Sequence, residues 1–220
     1  MRRLIIAALV TLIALPAFAA DEPKTEEQKT LYAIGLAMAR QLTPLSLTPA
    51  EIEFVKQGLA DAATGKTPAV DLNAYGQKIQ ELAKARLDAK GEKLAAATKE
   101  FVEKAAKEKG AVKTDSGLIY LSLQEGSGAS PAATDKVKVH YRGTLIDGEE
   151  FDSSYKRGQP AEFALNGVIK CWTEGVQKMK VGGKARLVCP PAIAYGDRNA
   201  GIIPPNATLV FEVELLEVKK

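Results

Sequence analysis

The hydrophobic spacing of this 220-residue chain changes period once, near Thr114, and that change decides most of the architecture. Downstream of it, Val137-Lys138-Val139-His140-Tyr141-Arg142 alternates apolar and polar residues, as do Leu209, Phe211, Val213 and Leu215. A period of two marks strands with one buried face in an antiparallel sheet. Leu118, Tyr120 and Leu121 belong to an earlier strand, and Asp147-Gly148 is a turn signal. Only Trp172 to Met179 reads as helix in this zone. The expectation is a curled sheet with one short helix.

Upstream the period is helical. Leu31, Ile34, Met38 and Leu42 share a face, and Ile52, Val55 and Leu59 share another after Thr48-Pro49, which reads as a cap followed by proline at the first helical position. Each helix is too short to fold alone, so these stripes need each other or a second chain. Leu72 to Lys109 contains no proline and is rich in Ala, Lys, Glu and Leu, with Asp71 as its cap. Leu72, Tyr75, Ile79 and Leu82 mark a stripe. Beyond it the apolar residues thin to Leu94 and Phe101, which predicts a solvated stalk with Gly91 as a soft point. A coiled coil and a frayed linker are the alternatives. The fold class is therefore α+β: N-terminal helices, a long stalk helix, then the sheet. The domains are expected at 1–19, 20–70, 71–113 and 114–220.

Residues 1–19 read as a removable export signal: Arg2 and Arg3, a greasy run from Leu4 to Leu15, then Ala17-Phe18-Ala19. That run is short for a membrane span, and an uncleaved anchor is the alternative. The signal implies export to the periplasm, and onward to the outer surface or medium as alternatives. Without the leader the net charge falls from +3 to about +1, and its charges are interspersed, which excludes the clustered basic face of a nucleic-acid binder. Cys171 and Cys189, the only cysteines, are either a disulfide in the oxidising compartment or two buried thiols.

The chemistry-bearing residues exclude more than they include. His140 is the only histidine, so a metal cluster or a histidine-based triad lacks its parts; the alternation puts it on the solvent side with Lys138 and Arg142. Gly182-Gly183 lacks the lysine–serine pattern of a phosphate loop. What remains is aromatic and aliphatic, with Asp152 as one carboxylate. Such a set can strip water from an apolar segment, or it can be plain core.

Order and spacing favour the first reading. Val-His-Tyr-Arg-Gly at 139–143, Asp-Gly-Glu-Glu-Phe-Asp-Ser-Ser at 147–154, Val168-Ile169 with Trp172 behind, Ala-Tyr-Gly at 194–196 and Gly-Ile-Ile-Pro-Pro-Asn-Ala-Thr-Leu-Val-Phe at 201–211 resemble the FKBP family of prolyl isomerases. Tyr32-Ala33-Ile34-Gly35, Arg40-Gln41-Leu42 and Val55-Lys56-Gln57-Gly58-Leu59, followed by a long helix, are similar to the macrophage infectivity potentiator (Mip-like) subclass, whose members dimerise through N-terminal helices.

The resemblance implies an FKBP-like antiparallel half-barrel wrapped on the short helix, and an enzyme that rotates Xaa-Pro bonds in unfolded or partly folded proteins. It implies inhibition by macrolides, a homodimer and no cofactor. By it, Tyr141, Phe151, Asp152, Ile169, Trp172, Tyr195 and Phe211 are catalytic, and Phe163, Val168, Ile202 and Ile203 bind substrate. Trp172 would be the floor, and the Ile169 N–H and Tyr195 hydroxyl would hold peptide carbonyls. The chain departs from well-studied members at Ala161, where they carry Phe; at the shortened 197–200 loop; and at Cys171, where they carry Gly. The runner-up is a non-enzymatic chaperone using the same fold as a peptide-binding module.

Overall fold

The computed structural model describes residues 22–220; the leader reading at 1–19 lies outside them. The chain divides into two compact units between Gln41 and Leu42. The first holds nearly all of α1 (Glu26–Leu42). Thr25 starts it: its Oγ1 accepts from the Gln28 N–H at 3.2 Å, while Gln28 Oε1 accepts from the Thr25 N–H at 3.1 Å, a reciprocal cap. No residue of α1 is buried, and Leu31, Tyr32, Ile34 and Leu36 are all exposed.

In the second unit, Thr48 caps α2 (Pro49–Ala63) through a capping box with Glu51, and Pro49 occupies the first turn. Phe54 on α2 is 76% exposed. Asp71 accepts from the Asn73 N–H and starts α3 (Leu72–Ala106), whose 35 residues extend about 52 Å. Arg86 of α3 donates to the Leu45 carbonyl at 2.8 Å and pairs with Glu51. The Arg86 guanidinium, helped by Thr48, holds the Glu51 carboxyl down at about 2.

The stalk reading fails for the second half of α3. Leu87, Gly91, Leu94 and Ala105 are buried, and Phe101, Val102 and Ala105 pack on Ile119 and Val188 of the sheet. Leu87, Gly91, Leu94, Thr98, Phe101 and Ala105 recur at alternating four- and three-residue steps, a single helix face. Small residues at contact positions made that face look hydrophilic. Gly91 is a point of close approach to Pro204 and Pro205, where a Cβ would crowd both. The stripe of Leu72, Tyr75, Ile79 and Leu82 on the first half is exposed.

The sheet contains β1 (Ala111–Lys113), β2 (Ile119–Gln124), β3 (Lys136–Leu145), β4 (Glu150–Ser153), β5 (Ala161–Ala164), β6 (Lys184–Cys189) and β7 (Leu209–Lys219). Its order is β1-β2-β6-β7-β3-β4, with β5 also on β3, and every pairing is antiparallel. Strand β1 has no counterpart in the sequence reading, because three residues are too few to show a period. On β3 the alternation holds: Val137, Val139, Tyr141 and Leu145 are buried, while Lys136 and Arg142 face outward.

The buried face receives α4 (Lys170–Gln177) through Cys171, Trp172, Gly175 and Val176. It begins two residues before the predicted helix, because the Ile169 carbonyl caps it by accepting from the N–H groups of Trp172 and Thr173. A Cβ on Gly175 would stand 2.8 Å from both methyl carbons of Leu187, so glycine lets α4 approach β6. The Thr173 hydroxyl donates to the Leu165 carbonyl at 2.6 Å and fixes the helix start.

Cys171 and Cys189 are both fully buried and joined, with Cα atoms 5.7 Å apart, inside the range a disulfide spans. The bridge ties the first turn of α4 to the end of β6. Closing an 18-residue separation constrains the unfolded chain by about 3 kcal/mol. Thiol titration of the unfolded, unreduced protein should find no free thiol, and replacing both cysteines with serine should lower the unfolding free energy by about that amount; two titratable thiols would refute the bridge.

Candidate active site

Tyr141 on β3, Phe163 on β5, Trp172 on α4 and Phe211 on β7 come from four elements and meet around one indole. The Trp172 ring lies edge-to-face with Tyr141 (centroids 5.2 Å apart, 89°), Phe163 (5.4 Å, 82°) and Phe211 (5.3 Å, 84°). Phe151 extends the chain of rings through Phe211 at 5.5 Å. Such perpendicular contacts set positive ring edges on negative faces and add to the burial of the rings. Trp172 is only 4% exposed, and its indole N–H is buried without an acceptor among the described residues. Apart from that one buried donor, the floor of this cup is apolar ring surface.

Glycine makes the cup possible. A Cβ on Gly143 would stand 2.6 Å from one ring carbon of Phe151 and 2.9 Å from one of Phe211. Bare backbone at Gly143 lets both rings lie down on β3.

The polar rim depends on a break in a strand. One edge of β3 pairs with β4 at Arg142–Thr144 and with β5 at Lys136–Val139. Between these the chain leaves the sheet at 154–160. Ser154 fills the gap: its N–H donates to the Tyr141 carbonyl at 3.0 Å, and its hydroxyl oxygen accepts from the Tyr141 N–H at 2.8 Å. The excursion carries Arg157 back over the Tyr141 ring, 5.5 Å from its centroid. Arg157 donates to the Tyr141 hydroxyl oxygen at 2.8 Å and pairs with Asp152, which also accepts from the Tyr141 hydroxyl.

These contacts remove both groups from proton chemistry. Burial, with Asp152 as hydrogen-bond acceptor, pushes the Tyr141 hydroxyl up to about 12. Burial pushes the Asp152 carboxyl up, but the hydrogen bonds from Tyr141 and Arg157 outweigh it, and the carboxyl ends below its ordinary value. Near neutrality the rim holds a neutral phenol and a fixed carboxylate.

Most of the residues singled out from the sequence meet here. Tyr141, Trp172, Phe211 and Ile203 belong to one buried cluster, with Phe151, Phe163, Val168, Ile169 and Tyr195 packed against it. Ile202 is half-buried and does not join it. The Ile169 carbonyl is spent on α4, and among the described residues its N–H and the Tyr195 hydroxyl have no partner. Ala161 also packs at the cluster's margin.

Arg157 is the residue sequence reasoning missed. Its only signal was a basic residue five positions after Asp152, which says nothing of where the loop returns. His140 lies on the outer face, as its register requires, but it is half-buried: Tyr155 stacks on it at 4.6 Å, and its Nδ1 contacts the Ser154 hydroxyl at 3.0 Å.

Comparison with known proteins places this geometry. Residues 128–216 match the family described as FKBP-type peptidyl-prolyl cis-trans isomerase, and residues 27–121 match the domain amino-terminal to it. The Escherichia coli K12 FKBP-type peptidyl-prolyl cis-trans isomerase FkpA is 42% identical over 94% of this chain and 82% of its own. The chain belongs to the FKBP-type peptidyl-prolyl isomerase family. The Coxiella burnetii peptidyl-prolyl cis-trans isomerase Mip is 39% identical over the full length of both chains. The crystal structure of FkpA from Escherichia coli superposes with a TM-score of 0.60 at 41% identity, covering 89% of this chain and 98% of that one. This FKBP chain thus shares with its relatives N-terminal helices ahead of the isomerase sheet.

Gly143→Ala should splay Phe151 and Phe211 and cost about 1–3 kcal/mol as an overpacked core substitution. The near-ultraviolet circular dichroism of the cup's aromatic rings should weaken with it. An unchanged unfolding curve and spectrum would count against this account of the cup.

Proposed function

We propose that the protein is an exported prolyl isomerase and folding helper, and that the aromatic cup is where Xaa-Pro bonds turn. One observation carries the reading: a nearly dry floor of four rings, with a rim that has no group ready to accept or give a proton. Rotation about an amide faces a barrier of about 18–20 kcal/mol from lost resonance. At the barrier top the nitrogen is pyramidal and the carbonyl less polarised. A low-polarity pocket disfavours the planar, more polar form, and a matching shape adds to the preference for the twisted one.

In this reading Trp172, Phe151, Phe163 and Phe211 enclose the proline ring. Asp152 faces the carbonyl of the turning bond and disfavours its charge-separated form, and Arg157 holds Asp152 ionised and in place. The free Ile169 N–H and Tyr195 hydroxyl are available to carbonyls on either side. Val168 and Ile203 close the walls.

Phe151→Ala and Asp152→Leu should each lower kcat/KM on Xaa-Pro tetrapeptides about tenfold or more, equivalent to roughly 1.4 kcal/mol of lost transition-state preference. Because the Asp152 pKa is depressed, its contribution is present above the ordinary carboxylate range and lost only as pH falls through that depressed value. The profile should be flat from about pH 6 to about pH 9, below the raised Tyr141 value. Activity unchanged in both variants would sink the assignment.

The exposed apolar residues of α1 and α2 support the remaining part of the reading. We place the chain with Mip-like proteins that dimerise through 20–70, with the exposed first half of α3 as connector and the sheet from β1 onward, together with the second half of α3, as the isomerase domain. A dimer would offer two cups to one client and raise affinity by effective concentration. The leader-like first 19 residues support export to the periplasm. Sedimentation should show a dimer at micromolar concentration, and a monomer there would overturn this part. The same exposed residues favour a holding role beside the enzymatic one, which protection of a proline-free, aggregation-prone client by a cup variant would reveal.

A further inference from the structure

We infer that the second half of α3 seats the 201–205 loop and thereby one wall of the cup, which makes Gly91 and Lys90 positioning residues for the isomerase site; the inference rests on the reading of that site given above. A Cβ on Gly91 would stand 3.1 Å from the Pro205 carbonyl oxygen and 3.3 Å from the Pro204 Cβ. One neighbour is backbone and the other a rigid ring, so neither yields cheaply. By contrast, a Cβ on Gly76, earlier in the same helix, would meet nothing within 4 Å. Glycine at 91 is thus explained by its contact, and the contact is with the residues that follow Ile203.

The neighbouring residue reaches a second segment of the cup. Lys90 pairs with Glu149 in the turn between β3 and β4, two residues before Phe151. The Lys90 side chain is 16% exposed, so the pair is partly withdrawn from water and its geometry is more constrained than that of a surface pair. Leu94, one turn beyond, lies in the same apolar cluster as Ile203, Trp172 and Phe211. Consecutive residues of one rigid helix therefore touch the two segments that carry Phe151 and Ile203.

The 201–205 loop has few ties of its own. Ala200 and Ile203 exchange two backbone hydrogen bonds, each 3.1 Å, and the Asn206 N–H donates to the Gly196 carbonyl. Pro204 and Pro205 have no N–H to give. The loop is held mainly by what it packs against, and α3 is what lies against its prolines. A small displacement of the helix shifts Ile203 and changes which residue before proline fits best.

The test uses the full chain with Gly91→Leu and, separately, Lys90→Ala. Hydrogen–deuterium exchange is followed across 147–151 and 196–209. Isomerase kcat/KM is measured on tetrapeptides that differ only in the residue before proline. In Gly91→Leu the Ala200 and Ile203 amides should exchange about fivefold faster or more, as expected when a local opening loses its support. The ratio of kcat/KM between peptides with small and large residues before proline should shift by about threefold or more, with far-ultraviolet circular dichroism unchanged. Lys90→Ala, which spares the helix backbone, should speed exchange across 147–151 and decides the matter should Gly91→Leu fail to fold.

Unchanged exchange in both variants overturns the inference. So does faster exchange with an unaltered peptide preference, because a purely structural contact would do that. If the parent chain turned no peptide at all, the isomerase reading would fail, and the seating of the loop would be judged on exchange alone.

Discussion

The approach of α4 to β6 is the constraint on which the site depends. Gly175 lets the helix lie against Leu187, the Cys171–Cys189 bridge ties its first turn to the strand end, and Thr173 anchors it to the Leu165 carbonyl. Together these set the height of Trp172 above the sheet. Phe163, Tyr141 and Phe211 can meet the indole edge-to-face only at that height, since ring pairs of this kind tolerate little change in separation. Move the helix outward by a methyl group and the floor of the cup becomes a crevice open to water.

The rim obeys a different logic. A broken edge strand would leave the Tyr141 backbone groups unpaired beside a buried face, which is costly. Ser154 supplies the missing pairing, and the loop that begins with it returns Arg157 to Tyr141 and Asp152. Burial then raises the phenol, and hydrogen bonds from Tyr141 and Arg157 lower the carboxyl, both against proton transfer. That outcome suits a bond rotation, which moves no proton and responds to polarity and shape.

The periodic parts of the fold were readable without coordinates. The capping residues Thr48 and Asp71 and the alternation on β3 and β7 follow from local rules, the ordered aromatic set from its resemblance to the FKBP family, and the structure places them accordingly. The second half of α3 was misread for a physical reason: contact positions filled by Gly91, Thr98 and Ala105 carry too little apolar surface to register as a stripe, yet their smallness is what permits contact. Arg157 escaped for another reason. Its role depends on where a seven-residue excursion rejoins the sheet, which no spacing encodes.

Alone, the sequence determined that this chain would join helices to an antiparallel sheet and that its candidate site residues are aromatic, apolar and poor in proton-transfer partners. Those properties are set by side-chain period and residue type, which act locally. Only the tertiary structure decided that three rings converge on Trp172, that Arg157 holds Asp152, and that α3 lies on the prolines beside Ile203. Each of these joins residues far apart in the chain, and their distances depend on packing, where one Cβ more or less changes what can touch.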